Sequence, residues 1–107
     1  MTTHEQRRDF VDKVVLVTGA GSGIGREAAL GFARRGALVY AVDVNERGLT
    51  ETLSLGSELA GTLRTTRVDV SNEPQVGDLM GRIASESGRL DAAFNNAGIT
   101  GGTHRIE

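Results

Sequence analysis

Cysteine is absent from the 107 residues, and so is tryptophan. Without cysteine there are no disulfides, no thiolate nucleophiles and no zinc–thiolate sites. There is a single proline, Pro74, a single tyrosine, Tyr40, and a single lysine, Lys13. No apolar run approaches the ~20 residues needed to cross a bilayer. The opening stretch, Met1 to Asp9, is polar and mixed in sign, so it lacks the apolar segment of a secretory signal. These absences lead us to expect a cytoplasmic protein. Neither charge sign dominates: 12 Lys and Arg against 14 Asp and Glu leave a formal net charge of -2. That balance draws the chain neither to nucleic acid nor to an anionic membrane. His4 and His104 stand alone in polar terminal segments, and no His/Asp/Glu cluster has metal-ligand spacing. The length and the ordinary apolar fraction of 38% fit one globular domain.

Glycine is what the chain has in excess, with 15 residues, about twice the usual share. Its placement organises the pass along the chain. Met1 to Asp12 reads as a polar arm. Val14 to Val17 is a short β-branched run, as in a strand covered on both faces. A glycine-dense turn follows to Gly25, and then Ile24, Ala28, Phe32 and Ala33 recur at helical spacing until Gly36. Ala37 to Val42 reads as a second buried strand, ending at Asp43. Asn45 is placed to cap a helix whose inner face is Leu49, Leu53 and Leu59 or Ala60, with Gly48 and Gly56 weakening it by roughly 1 kcal/mol each. Leu63 to Val70 forms a third strand. Ser71 is placed to cap a third helix, with Pro74 in its first turn and Val76, Leu79, Met80, Ile83 and Ala84 on one face. Gly88 stops it, and Leu90 to Phe94 forms a fourth strand. The order is βαβαβαβ, and strict alternation of this kind gives a parallel sheet with right-handed crossovers.

Four features at strand ends carry chemistry. The first is Thr18-Gly19-Ala20-Gly21-Ser22-Gly23-Ile24-Gly25, between the first strand and the first helix. A diphosphate needs backbone N–H donors and a helix N-terminus at close range, and side chains would block that approach. A glycine-rich turn that merely packs helix on strand is the simpler reading. Arg26 follows it, either near the diphosphate or as a solvated helix residue. The second is Asp43, 18 residues beyond Gly25. A carboxylate there can accept both ribose hydroxyls of the adenosine half of NAD and would repel the 2′-phosphate of NADP; it could equally cap the next helix. Ser22 occupies a position where a basic residue would greet that phosphate. The third is Asp69-Val70, suited either to an adenine ring or to a simple turn. The fourth is Asn95-Asn96-Ala97-Gly98, whose small residues admit a ligand and whose amides can tie the loop to neighbouring strands. No nucleophile–base pair is apparent.

Taken together and in this order, these motifs resemble the short-chain dehydrogenase/reductase family, over the stretch from Phe10 to about Thr100. Thr18, Gly19, Gly23 and Gly25 match its cofactor turn, Asp43 the acidic residue of its NAD-preferring members, Asp69 and Val70 its adenine contact, and Asn95 to Gly98 its N-N-A-G signature. Gly88-Arg89-Leu90-Asp91 matches its lead-in to the fourth strand. The resemblance implies an α/β, Rossmann-type, three-layer parallel sheet of strand order 3-2-1-4, incomplete in this chain. The expected units are a polar arm over 1–12, an NAD-binding half-domain over 13–98 and a polar tail over 99–107. It also implies alcohol–ketone hydride transfer with a nicotinamide dinucleotide, NAD rather than NADP. The family's catalytic Tyr-x-x-x-Lys, Ser and Asn all follow the N-N-A-G motif. Tyr40 and Lys13 match none of these positions, so no catalytic residue is carried over. The expected binding set is therefore Thr18, Gly19, Gly21, Ser22, Gly23, Ile24, Gly25, Asp43, Asp69, Val70, Asn95, Asn96, Ala97 and Gly98. A non-catalytic dinucleotide-binding or regulatory module is the alternative, as is a half-domain completed by another chain. The fourth strand would stand as an open edge, inviting self-association.

Overall fold

The computed structural model describes residues 8–96. Ala97, Gly98 and both histidines lie outside them, as do the tail 99–107 and the first part of the arm. The described chain runs β1 (Val14–Thr18), α1 (Gly23–Arg34), β2 (Leu38–Asp43), α2 (Glu46–Leu55), β3 (Thr62–Arg67), α3 (Glu73–Ser87) and β4 (Ala92–Asn95). All pairings are parallel, and the sheet order is β3-β2-β1-β4.

Alternation along the two inner strands builds two cores. Val15 and Val17 of β1, with Val39 and Ala41 of β2, face α1 and α2 and pack with Ala29, Leu30, Ala33 and Leu49. Val14, Leu16, Tyr40 and Val42 face the other way, onto Leu79 and Ile83 of α3. Every residue of β1 is buried. Each fully buried valine stabilises the fold by roughly 1.5–3 kcal/mol. Tyr40 is enclosed in the α3-side core, and its hydroxyl donates to Glu86 Oε1 at 2.9 Å and lies 2.8 Å from Ser87 Oγ.

Several local expectations are corrected. The buried stripe of α1 is Gly25, Ala29, Leu30 and Ala33, and Ile24 is 68% exposed. On α2 the inward face is Gly48, Leu49 and Thr52, while Leu53 is exposed; Leu59 lies beyond the helix and packs onto the core. The cap of α3 is Asn72, whose side chain accepts from Gln75 N, and not Ser71. Only Leu79 and Ile83 of α3 are buried, with Met80 exposed. The arm is not wholly polar in its placement. Phe10 stacks against Phe32 with ring centroids 5.2 Å apart, and its N–H donates to Arg35 O at 3.0 Å. Among the described residues no helix is long and apolar enough to cross a membrane.

Candidate functional site

The C-terminal ends of β1, β2 and β4 meet around the glycine turn. Ala20 N–H donates to Val42 O at 3.0 Å, which lays the turn across the end of β2. Thr18 Oγ1 is buried and accepts the Asn96 N–H at 2.9 Å, which draws the loop after β4 onto the same end. Gly25 is forced by contact: a Cβ there would stand 1.9 Å from Gly19 O. Gly23 is different, because nothing lies within 4 Å of its Cβ position and its φ of +57° is what selects glycine. The turn then enters α1 with its first N–H groups uncapped. Ser22 is the N-cap, but its side chain makes no capping bond, and the first turn holds no acidic residue. In α2 and α3 an asparagine side chain fills that role. The N-terminus of α1 thus keeps backbone donors and the positive end of the helix dipole facing outward beside exposed Ser22, Gly23 and Ile24.

Asp43 is tied to this turn through both oxygens. Oδ2 accepts Gly21 N–H at 2.8 Å and Oδ1 accepts Asn45 N–H at 3.0 Å. A carboxylate has about four acceptor sites, so one on each oxygen is left for a further donor. A Cβ on Gly21 would lie 2.8 Å from Oδ2, so a side chain there would press the carboxylate away from this position.

Sequence reasoning named Arg26 without finding its partners, and it missed the roles of Gly48 and Thr52. Arg26 is not a solvated helix residue. Its Nε donates to Thr52 Oγ1 at 2.8 Å, and its Nη2 to Gly21 O at 2.7 Å, Gly48 O at 3.1 Å and Glu51 Oε1 at 3.0 Å. Thr52 is fully buried and its hydroxyl lies 2.8 Å from Ala20 O and 3.0 Å from Gly48 O. A Cβ on Gly48 would stand 2.4 Å from Gly21 O, so its glycine permits backbone to meet backbone. The available signal was Thr52 three residues after Leu49, a polar side chain on an apolar stripe.

Asp69 and Val70 follow β3, beside the end of β2: Val68 N–H donates to Asp43 O at 3.0 Å. Asp69 Oδ1 accepts from the Ser71 hydroxyl at 2.7 Å and the Ser71 N–H at 2.9 Å, and these bonds hold its carboxyl below the usual carboxylate range. Val70 is half-buried against the α3-side core. Asn95 closes β4 opposite Thr18. Asp91 has a structural task at the far end of the strands. Bonds from Arg89, then from Val14 N–H at 2.7 Å, keep it in its charged form and lower its pKa. Among the described residues no group of His, Asp and Glu could hold a metal ion.

The sequence profile described as short chain dehydrogenase matches residues 13–107. The chain belongs to the short-chain dehydrogenase family. A 3β-hydroxysteroid dehydrogenase of Mediterraneibacter gnavus is 42% identical over 98 residues, which cover 92% of this chain and 36% of that protein. Levodione reductase of Leifsonia aquatica is 44% identical over 94 residues, covering 86% of this chain and 35% of that protein. Among solved structures, NAD+-bound xylitol dehydrogenase superposes with a TM-score of 0.79 at 34% identity, over 84% of this chain and 35% of that one. The chain therefore spans about a third of the length of these short-chain dehydrogenases. Members of the family bind a nicotinamide dinucleotide, as the xylitol dehydrogenase does.

Proposed function

We propose that this chain supplies the NAD(H)-binding N-terminal portion of an alcohol–ketone oxidoreductase. The observation that carries the reading is the Asp43 carboxylate, held by Gly21 N–H and Asn45 N–H at the mouth of the glycine turn. Its two remaining acceptor sites suit the paired 2′- and 3′-hydroxyls of an adenosine ribose, and its charge repels a 2′-phosphate. Ser22 brings no cation to offset that repulsion. The uncapped start of α1 suits the diphosphate, and Gly23 leaves the approach free of any side chain. Asp69 and Val70 flank the adenine, and Asn95 and Asn96 border the path toward the nicotinamide; Ala97 and Gly98, expected in the same set, lie outside the described residues. The bound dinucleotide supplies hydride acceptance and donation. The binding unit is the stretch 13–98.

We assign no catalytic residue within the 107. Tyr40 is buried with its hydroxyl engaged by Glu86, and Lys13 immediately precedes β1, at the opposite end from Thr18. Titration calorimetry tests the assignment. NAD+ is expected to bind more tightly than NADP+, and Asp43→Ala to abolish the difference. Equal binding of the two by the unaltered chain, or a preference that survives Asp43→Ala, contradicts it.

A further inference from the structure

We propose that Arg26 and Thr52 are positioning residues that set the ribose-facing geometry of Asp43, an inference that rests on the NAD-binding reading above. The chain of contacts is continuous. Gly21 offers its N–H to Asp43 Oδ2 and its carbonyl to Arg26 Nη2, so the two peptide groups that flank its Cα are each held by one bond. The same Nη2 reaches Gly48 O, and Gly48 packs its Cα directly under Gly21 O. Thr52, buried beneath, fixes the other guanidinium edge by accepting from Nε. Its hydroxyl hydrogen is directed to Ala20 O or Gly48 O. The guanidinium thereby bridges the glycine turn and α2. Asn45, the cap of α2, gives its own N–H to the other oxygen of Asp43. Both oxygens of the carboxylate are thus held by backbone donors on either side of the bridge.

The energetics favour a rigid arrangement. Removing one member leaves a buried carbonyl or an Nε–H without its partner, which costs more than the bond itself is worth. The Arg26 side chain carries little exposure, 21%, so water replaces its bonds poorly. A ligand that bonds to Asp43 gains from this rigidity because the carboxylate is already oriented when the ribose arrives. The two residues need not touch the dinucleotide. They act through the backbone of Gly21, whose carbonyl they hold and whose N–H holds Asp43.

The test compares Thr52→Val, which keeps the volume and removes the hydroxyl, with Thr52→Ser, which keeps the hydroxyl. Arg26→Met, which keeps the apolar stem, is the second probe. NAD+ and NADP+ affinities are measured by calorimetry on each full-length variant. Thr52→Val and Arg26→Met should lose about tenfold in NAD+ affinity, the scale of one charge-assisted bond, while NADP+ changes far less. Thr52→Ser should restore the preference. Adding Thr52→Val to Asp43→Ala should cost little more, because Thr52 acts only through that carboxylate. Variants that melt cooperatively and keep the unaltered NAD+ to NADP+ ratio overturn the inference while leaving the NAD-binding reading intact. If the unaltered chain shows no preference dependent on Asp43, that reading is what fails. The positioning is then read from the Gly21 amide proton by NMR. Its shift should move in Thr52→Val and return in Thr52→Ser, and a resonance indifferent to both overturns the inference.

Discussion

Gly48 sits inside a helix, where host propensities make alanine the better residue by about 1 kcal/mol. Its Cβ position, 2.4 Å from Gly21 O, reverses that sign. Gly48→Ala should destabilise the chain by about 1–3 kcal/mol in chemical denaturation, the usual cost of overpacking, and weaken NAD+ binding with it. A more stable Gly48→Ala variant would contradict the contact. The case also marks where the sequence stops being readable. Gly19, Gly23 and Gly25 were legible as a tight strand-to-helix turn because their spacing and position at a strand end mark one. Gly48 and Arg26 were not, since their partners lie 22 and 5 residues away in sequence and only the packing of α2 against the turn brings them together. Asp43 was legible as a carboxylate at a strand end. Its bond to the Gly21 N–H was not, because spacing alone carries no information on which backbone donor a side chain meets.

At the scale of elements, the caps separate α1 from its neighbours. Asn72 and Asn45 each satisfy a backbone donor in the first turn of their helix. Asn72→Ala should cost about 1 kcal/mol of stability by thermal or chemical melting, with no effect on nucleotide binding. Ser22→Ala should cost far less, because its hydroxyl caps nothing. The strands were readable as elements from their β-branched runs, and the parallel order followed from alternation with helices. Their ends shifted by one to three residues where a loop continues the backbone pairing, as at Val68. Asp91, bonded by Arg89 and then by Val14 N–H, joins the starts of β4 and β1 and has a pH signature. Its folded pKa lies below the ordinary value, so its contribution is present above the unfolded pKa and is lost as pH falls through the folded one. Denaturation midpoints should therefore fall on acidification below about pH 4, and less steeply in Asp91→Asn. Equal slopes in both proteins would remove this tie from the account.

At the scale of the whole molecule, the sheet carries the argument. Among the described residues β4 has β1 as its one neighbour, and Ala92 and Ala93 are exposed. A strand edge of this kind pairs with another strand unless a charge blocks it. Sedimentation should show concentration-dependent association of the 107-residue chain, suppressed by Ala93→Lys; a species monomeric at all concentrations would contradict it. The two cores, one under α1 and α2 and the other under α3, cover the sheet, and the parallel pairing of β1 with β4 is how residues as distant in sequence as Thr18 and Asn96 come to share a bond. We propose that this end of the sheet receives the adenosine and diphosphate of NAD. The most direct measurement is an amide chemical-shift map on addition of NAD+. The amides of Gly21, Ser22, Gly23, Ile24, Asp43 and Val44 should move together, while those of Gly61 and Thr62 at the opposite end stay fixed. Shifts confined to the opposite end, or spread evenly without the turn, would contradict it.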